Sequence, residues 1–144
     1  ELAREAVVEH VRLAEVRDID LGLARADDDA IVTGDVDALR IVLANLLSNA
    51  LRYTPRGGRV DVSCSRKDKR VMLEVSDTGP GVPEAERDRV FDRFYRRAGE
   101  QESGSGLGLS IVRVIADRHG ANVSLHDADG GGLLVRVAFP NRAE

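Results

Sequence analysis

The order of patterned segments predicts a two-layer α/β sandwich, a mixed and mostly antiparallel sheet covered on one face by about three helices. Three observations carry that prediction. Two pairs of strand-like runs are each joined by a tight turn, at Lys67-Asp68-Lys69 and around Gly130-Gly131-Gly132. Three other segments repeat their apolar residues at helical spacing. The succession is helix, strand, strand, helix, hairpin, long loop, helix, hairpin, and such elements bury their apolar sides by layering helices on a sheet.

Taken in order, residues 1–17 carry Leu2, Ala6, Val7, Val11, Leu13 and Ala14 at helical spacing. Ile19, Leu21 and Leu23 alternate with Asp20, Gly22 and Ala24, as in a strand. Asp27-Asp28-Asp29 reads as a turn and Ile31–Thr33 as a short second strand. Gly34 breaks the chain and Asp35 is placed to cap a helix. That helix, centred on Leu39–Tyr53, is the strongest in the sequence. Leu39, Val42, Leu43, Leu46, Leu47, Ala50 and Leu51 make a broad apolar arc. Pro55 and Gly57-Gly58 end it. Arg59–Arg66 and Arg70–Asp77 form the first hairpin, and Cys64 falls in phase with Val60 and Val62 as a small buried apolar residue. Residues 78–105 hold Gly79, Pro80, Gly81, Pro83, many charges and little periodicity; an inserted loop of that length is usually functional or disordered. Within it Val90, Phe91, Phe94 and Tyr95 form an apolar knot ringed by Arg89, Arg93, Arg96 and Arg97. Gly106–His119 is the third helix, closed by Gly120, and Asn122–His126 with Leu133–Phe139 is the second hairpin.

Composition narrows the function classes. The 144 residues carry a net charge of −4, which argues against a groove that tracks a nucleic-acid backbone. No apolar run approaches the ~18 residues of a membrane span. A single cysteine cannot form an internal disulfide, which fits a reducing compartment. The chain opens on Glu1 and Met72 is its only methionine, so the expectation is a segment of a longer protein.

The chemistry-bearing positions are few. Asn45, Asn49 and Arg52 sit at i, i+4 and i+7 of the central helix, within roughly 60° of one another at ~100° per residue. Asparagine is a mediocre helix former. An amide oxygen suits Mg²⁺, and an arginine fork suits phosphate; two solvent-facing residues would also satisfy the pattern. Asp77 shares strand parity with Val71, Leu73 and Val75, so its carboxylate faces the core and needs a donor. It either caps the Thr78-Gly79 turn or accepts a hydrogen bond from a ligand amino group. Gly79 and Gly81 let the backbone pass close by. Gly104-Ser105-Gly106-Leu107-Gly108-Leu109 opens a helix, where exposed N–H groups favour an anion. It is neither the dinucleotide fingerprint nor a Walker loop.

In this order the segments resemble one family, the ATP-binding domain of bacterial sensor histidine kinases, within the wider group of Hsp90, gyrase B and MutL. There is a looser likeness to mycobacterial kinases of the PrrB type. Asn45-Leu-Leu-Ser-Asn49-Ala-Leu-Arg52-Tyr53-Thr54 resembles the family's N box, and Asp77-Thr-Gly79-Pro-Gly81-Val82-Pro83 its first glycine box. Val90-Phe91-Asp-Arg-Phe94-Tyr95-Arg96 resembles the phenylalanine box, and Gly104 to Leu109 the second glycine box. The resemblance implies the Bergerat (GHKL-like) fold, a single ATP-binding domain over 1–144, and a lid at 82–105. It implies that Asn49 coordinates Mg²⁺ with Asn45 in support, that Arg52 meets phosphate, and that Tyr53 packs at the nucleotide. Asp77 would accept from the adenine amine, beside Gly79, Gly81 and Val82. Arg96 would reach the γ-phosphate as the catalytic residue. Gly104, Ser105, Gly106, Leu107, Gly108 and Leu109 would line the phosphate tail.

By the same resemblance the cofactors are ATP and Mg²⁺. The γ-phosphoryl group would pass to a histidine on the phosphoacceptor and dimerisation domain of the same protein, and then to a response regulator. The parent would be a homodimer in the inner membrane. This segment would be cytoplasmic, with neither membrane nor nucleic-acid contact. ATP-hydrolysing members of the wider group place a glutamate base where Asn45 stands, and an amide cannot take that proton. A hydrolysing ATPase and a non-catalytic docking module are the alternatives. His10 lacks the acidic and proline neighbours of a phosphoacceptor box and reads as a surface residue. His119 reads as a helix C-terminal residue favoured when protonated, and His126 points outward from its strand. Gly120-Ala121 and His126-Asp127 depart from the family's usual Gly-Gly and Ser around the last hairpin.

Overall fold

A computed structural model describes residues 1–92 and 108–140. Helix α1 spans Leu2–Val16, strand β1 Asp20–Ala26 and helix α2 Val36–Tyr53. Strands β2 (Arg59–Lys67) and β3 (Arg70–Asp77) form the first hairpin. Two short 3-10 turns, Glu84–Glu86 and Arg89–Phe91, follow. Helix α3 is described over Gly108–Arg118, then β4 (Asn122–Asp127) and β5 (Leu133–Pro140) close the sheet. The five strands lie in the order β1-β2-β3-β5-β4. All neighbours are antiparallel except β1 and β2, which α2 connects as a parallel pair. A helical crossover is what a parallel pair requires.

Alternation along the strands separates the two faces. Val60, Val62, Val71, Leu73, Val75, Val135, Val137 and Phe139 are buried with the apolar arc of α2 and with Leu109, Val112, Ile115 and Ala116 of α3. On the opposite face Arg136 bridges Glu74 at 2.6 Å and its guanidinium lies 3.4 Å from His126 Nε2, which also meets Ser124. His126 therefore belongs to the polar outer side, as its parity predicts.

The helix ends follow local chemistry. The Asp35 carboxylate accepts from the amides of Asp37 and Ala38 and caps α2. Thr54 closes it, buried, with its hydroxyl donating to the Ala50 carbonyl. Gly120, at φ +68, stops α3.

Three expectations need correction. Ile31–Thr33 is not a strand; it is irregular chain between the Asp27–Ala30 turn and the α2 cap, without a ladder partner, and Ile31 is 54% exposed. On α1 the buried residues are Ala3, Ala6, Val7 and Ala14. Val11 and Leu13 fall about 80° to either side of that stripe at 100° per residue and stay exposed. Small residues let α1 lie close to its neighbours, so alanine rather than the larger side chains marks the contact. Cys64 is half-buried rather than fully buried, and burial pushes its thiol pKa up. Of the segment expected to form a lid, residues 82–92 are described. Val82 and Val90 are buried, and the Phe91 ring lies under the Arg113 guanidinium at 4.8 Å. The rest of the expected lid and of the apolar knot, Phe94 and Tyr95 with Arg93, Arg96 and Arg97, lies outside the described residues.

Candidate functional site

Helix α2 forms one wall. Its apolar arc fixes its rotation on the sheet and leaves Asn45, Asn49 and Tyr53 half-buried along the edge, with Arg52 beside them. Asn45 donates its amide to the Ile41 carbonyl at 2.9 Å. Its carbonyl oxygen faces the start of α3, where a Cβ added to Gly108 would lie 3.5 Å away. The two helices pack antiparallel: Asn45 is level with the opening of α3, and Asp35 meets its last turn through His119. Gly108, in the last part of the second glycine box, thus lies beside the N box.

Asp77 forms the other end. It is 4% exposed, as its strand parity predicts. Its Oδ1 accepts from the Gly79 amide at 2.9 Å and from the Leu133 amide at 3.2 Å. The turn-capping reading is therefore correct as far as it goes, and β5 supplies a second donor. Three backbone approaches close around this carboxylate. A Cβ on Gly79 would sit 2.6 Å from the Tyr53 carbonyl oxygen, and one on Gly132, at φ +91, would run into the Asp77 carbonyl. Gly81, at φ +73, lies against Gly132. Only glycine permits contacts of this kind. Arg87 then fastens the following loop, donating to the Val82 carbonyl at 3.2 Å and to Asp127 at 2.5 Å.

Of the residues expected at the site, Tyr53, Asp77, Gly79 and Gly81 come together with Gly132 at one end, and Asn45 lies close to Gly108 at the other; Asn49 and Arg52 stand between them on α2, and Val82 is buried. Leu109 turns its side chain into the core, 6% exposed, so only its backbone could serve a ligand. Arg96, Gly104, Ser105, Gly106 and Leu107 lie outside the described residues. Gly132 and Leu133 went unrecognised; the glycine run at 130–132 signalled a turn, but not its seat on Asp77.

A family model described as histidine kinase-, DNA gyrase B- and HSP90-like ATPase matches residues 34–143. The chain belongs to this family. Among its members, the swarming motility regulation sensor protein RssA of Serratia marcescens is 41% identical over 138 residues, covering 94% of this chain and 29% of that protein. The structure of the mycobacterial sensor histidine kinase MprB superposes with a TM-score of 0.81 at 33% identity, covering 96% of this chain and 95% of that one. Full-length ShkA in complex with AMPPNP gives a TM-score of 0.83 at 30% identity, covering 99% of this chain and 30% of ShkA. The expected sandwich is thus the ATPase-family fold of histidine kinase catalytic domains. The chain spans about three-tenths of the length of the curated relatives it matches.

Proposed function

We propose that this chain is the catalytic domain of a two-component sensor kinase, binding Mg·ATP along α2 and donating the γ-phosphoryl group to a histidine on another domain. The carrying observation is the arrangement along α2, with the buried Asp77 carboxylate near its Tyr53 end and the Asn45 amide oxygen beside Gly108 of α3 about two turns earlier. Asn45 and Tyr53 are eight residues apart on one helix, about 12 Å at 1.5 Å per residue, a span that suits a ligand with a base at one end and phosphates at the other. Family membership and the AMPPNP complex of ShkA point the same way.

The residues fit the roles the resemblance implies. Asp77 presents a dry carboxylate to the adenine amine, held in place by two backbone amides. Asn49, with Asn45 in support, offers hard amide oxygens to a cation that takes its other ligands from phosphate and water. Arg52 and the amides from Gly104 to Leu109 serve the phosphates, and Arg96 serves the γ-phosphate. Bound Mg²⁺ neutralises phosphate charge, and the chain's own part is positioning.

The phosphoacceptor is best sought on a separate dimerisation domain of the same protein, with an aspartate of a response regulator as the next acceptor. Each histidine of the chain already has a local bond: His10 to the Ala6 carbonyl, His119 to the Ile115 carbonyl, and His126 to Ser124. Exposed Ile41 of α2, with Ile111 and Val114 of α3, offers that domain an apolar contact. Among the described residues no helix is long and apolar enough to cross a membrane; the parent is read as an inner-membrane homodimer with this domain in the cytoplasm.

Calorimetric titration with AMPPNP, with and without Mg²⁺, tests the reading. Mg²⁺-dependent binding is expected. A folded chain that binds nothing overturns it in favour of a docking module, and steady phosphate release from ATP would instead favour a hydrolysing enzyme.

A further inference from the structure

His119, the residue after α3, joins two elements through both ring nitrogens. Nδ1 lies 2.8 Å from the Ile115 carbonyl, and Nε2 lies 3.2 Å from the Asp35 backbone nitrogen. A carbonyl can only accept and a backbone N–H can only donate, so Nδ1 carries the proton and Nε2 offers a lone pair. In this arrangement the ring is the Nδ1–H tautomer, at the C-terminal end of α3 where the sequence places it. Gly34 makes room for it: a Cβ there would stand 2.5 Å from Cδ2 and 2.6 Å from Nε2 of the ring. The bond ends on the residue that caps α2.

Its place in the fold gives it a consequence. From Asp35 to Asn45 along α2 is about 15 Å, and from Gly108 to His119 along α3 about 16 Å, at 1.5 Å per residue. The helices run antiparallel, so the His119–Asp35 bond fastens one end of the pair while Asn45 faces Gly108 at the other. We infer that His119 is a positioning residue that sets the register of α3 against α2, and through it the spacing between the amide stripe and the glycine helix start. This rests on the nucleotide reading above. It assigns His119 to the phosphate end only, because Asp77 is held by β3, β5 and the Gly79 turn.

The test titrates the chain and three variants with Mg·AMPPNP by calorimetry, and with adenosine by chemical-shift perturbation. His119→Ala removes the acceptor, and Gly34→Ala displaces the ring while keeping the histidine. Each should weaken Mg·AMPPNP roughly threefold to tenfold, the range of one hydrogen bond, with adenosine affinity unchanged. His119→Gln places an amide oxygen near the Nε2 position and should restore binding. Unchanged Mg·AMPPNP affinity in His119→Ala overturns the inference. So does an equal loss of adenosine affinity, which would mark a general structural role, or failure of glutamine to rescue. If the unmodified chain bound no nucleotide, the functional reading itself would fall, an outcome distinct from an unaltered variant.

Discussion

At the Tyr53 end of α2 the candidate site is made of backbone in contact with backbone, whereas eight residues earlier, at Asn45, it is made of half-buried side chains. Around Asp77 the Tyr53 carbonyl, the Gly79 amide and the Gly132 turn meet so closely that no Cβ fits at Gly79 or Gly132. Around Asn45 the corresponding approach, to Gly108, is an ordinary van der Waals distance. One end of the site is therefore continuous with what holds the sheet together, and the other is carried by helices that would pack much the same without it. Damage at the first should cost stability and binding together. Damage at the second should cost binding alone.

The largest expected effect tests the first half of that contrast. Gly132→Ala asks for a side chain at φ +91 and places it on the Asp77 carbonyl, so the β4–β5 turn must move off β3. A loss of about 3 kcal/mol is expected, the combined scale of a strained backbone position and a steric conflict. Urea unfolding would read it. A variant as stable as the parent would mean that the turn is free to shift, and that the carboxylate end is no more rigid than the amide end.

Two carboxamide exchanges give the intermediate case. Asn49→Asp should weaken Mg·AMPPNP by about tenfold or more, the scale on which metal-site partners act, with stability changed by no more than ~0.5 kcal/mol. Asp77→Asn keeps an oxygen for the amides of Gly79 and Leu133 but removes the charge that strengthens both bonds. It should weaken nucleotide binding and also lower stability by about 1 kcal/mol. Equal stability losses in the two variants would erase the distinction between the ends.

The same contrast explains what could be read from the sequence. Asp77 was legible because strand parity fixes which way a side chain points, and the Asp35 and Gly120 caps because helix ends have local chemistry. The amide stripe was legible because a helix repeats. Contacts between distant backbone segments leave no such trace. Gly132 looks like any turn glycine until Asp77 lies beneath it, and Gly34 looks like a helix breaker until the His119 ring occupies the space of its missing Cβ. Ile31–Thr33 failed for a related reason. Its residues suit a strand, but a strand also needs an open neighbour, and that segment lies between a turn and a cap. The parallel pairing of β1 with β2 was likewise left open, since alternation states a face and not a direction.

The smallest expected effect lies away from both ends and serves as their reference. Asp27, in the turn after β1, accepts from the Arg25 guanidinium at 2.8 and 3.0 Å and from the Arg66 amide at 3.1 Å. These bonds, the Arg25 side chain first, hold its carboxyl pKa below the usual carboxylate range. A carboxyl whose pKa falls on folding favours the folded state when ionised. Its contribution is fully present above the ordinary carboxylate pKa and is lost as pH falls through the lowered folded value. Asp27→Asn should therefore lower the melting temperature slightly at neutral pH, and the gap from the parent should close in acid. The gap is small because the pair is open to water. Mg·AMPPNP affinity should not change, since Asp27 joins β1 to β2 and touches neither end of the candidate site. A gap that persisted in acid would assign the tie to packing rather than charge, and an altered affinity would mean that the β1–β2 edge reaches the candidate site after all.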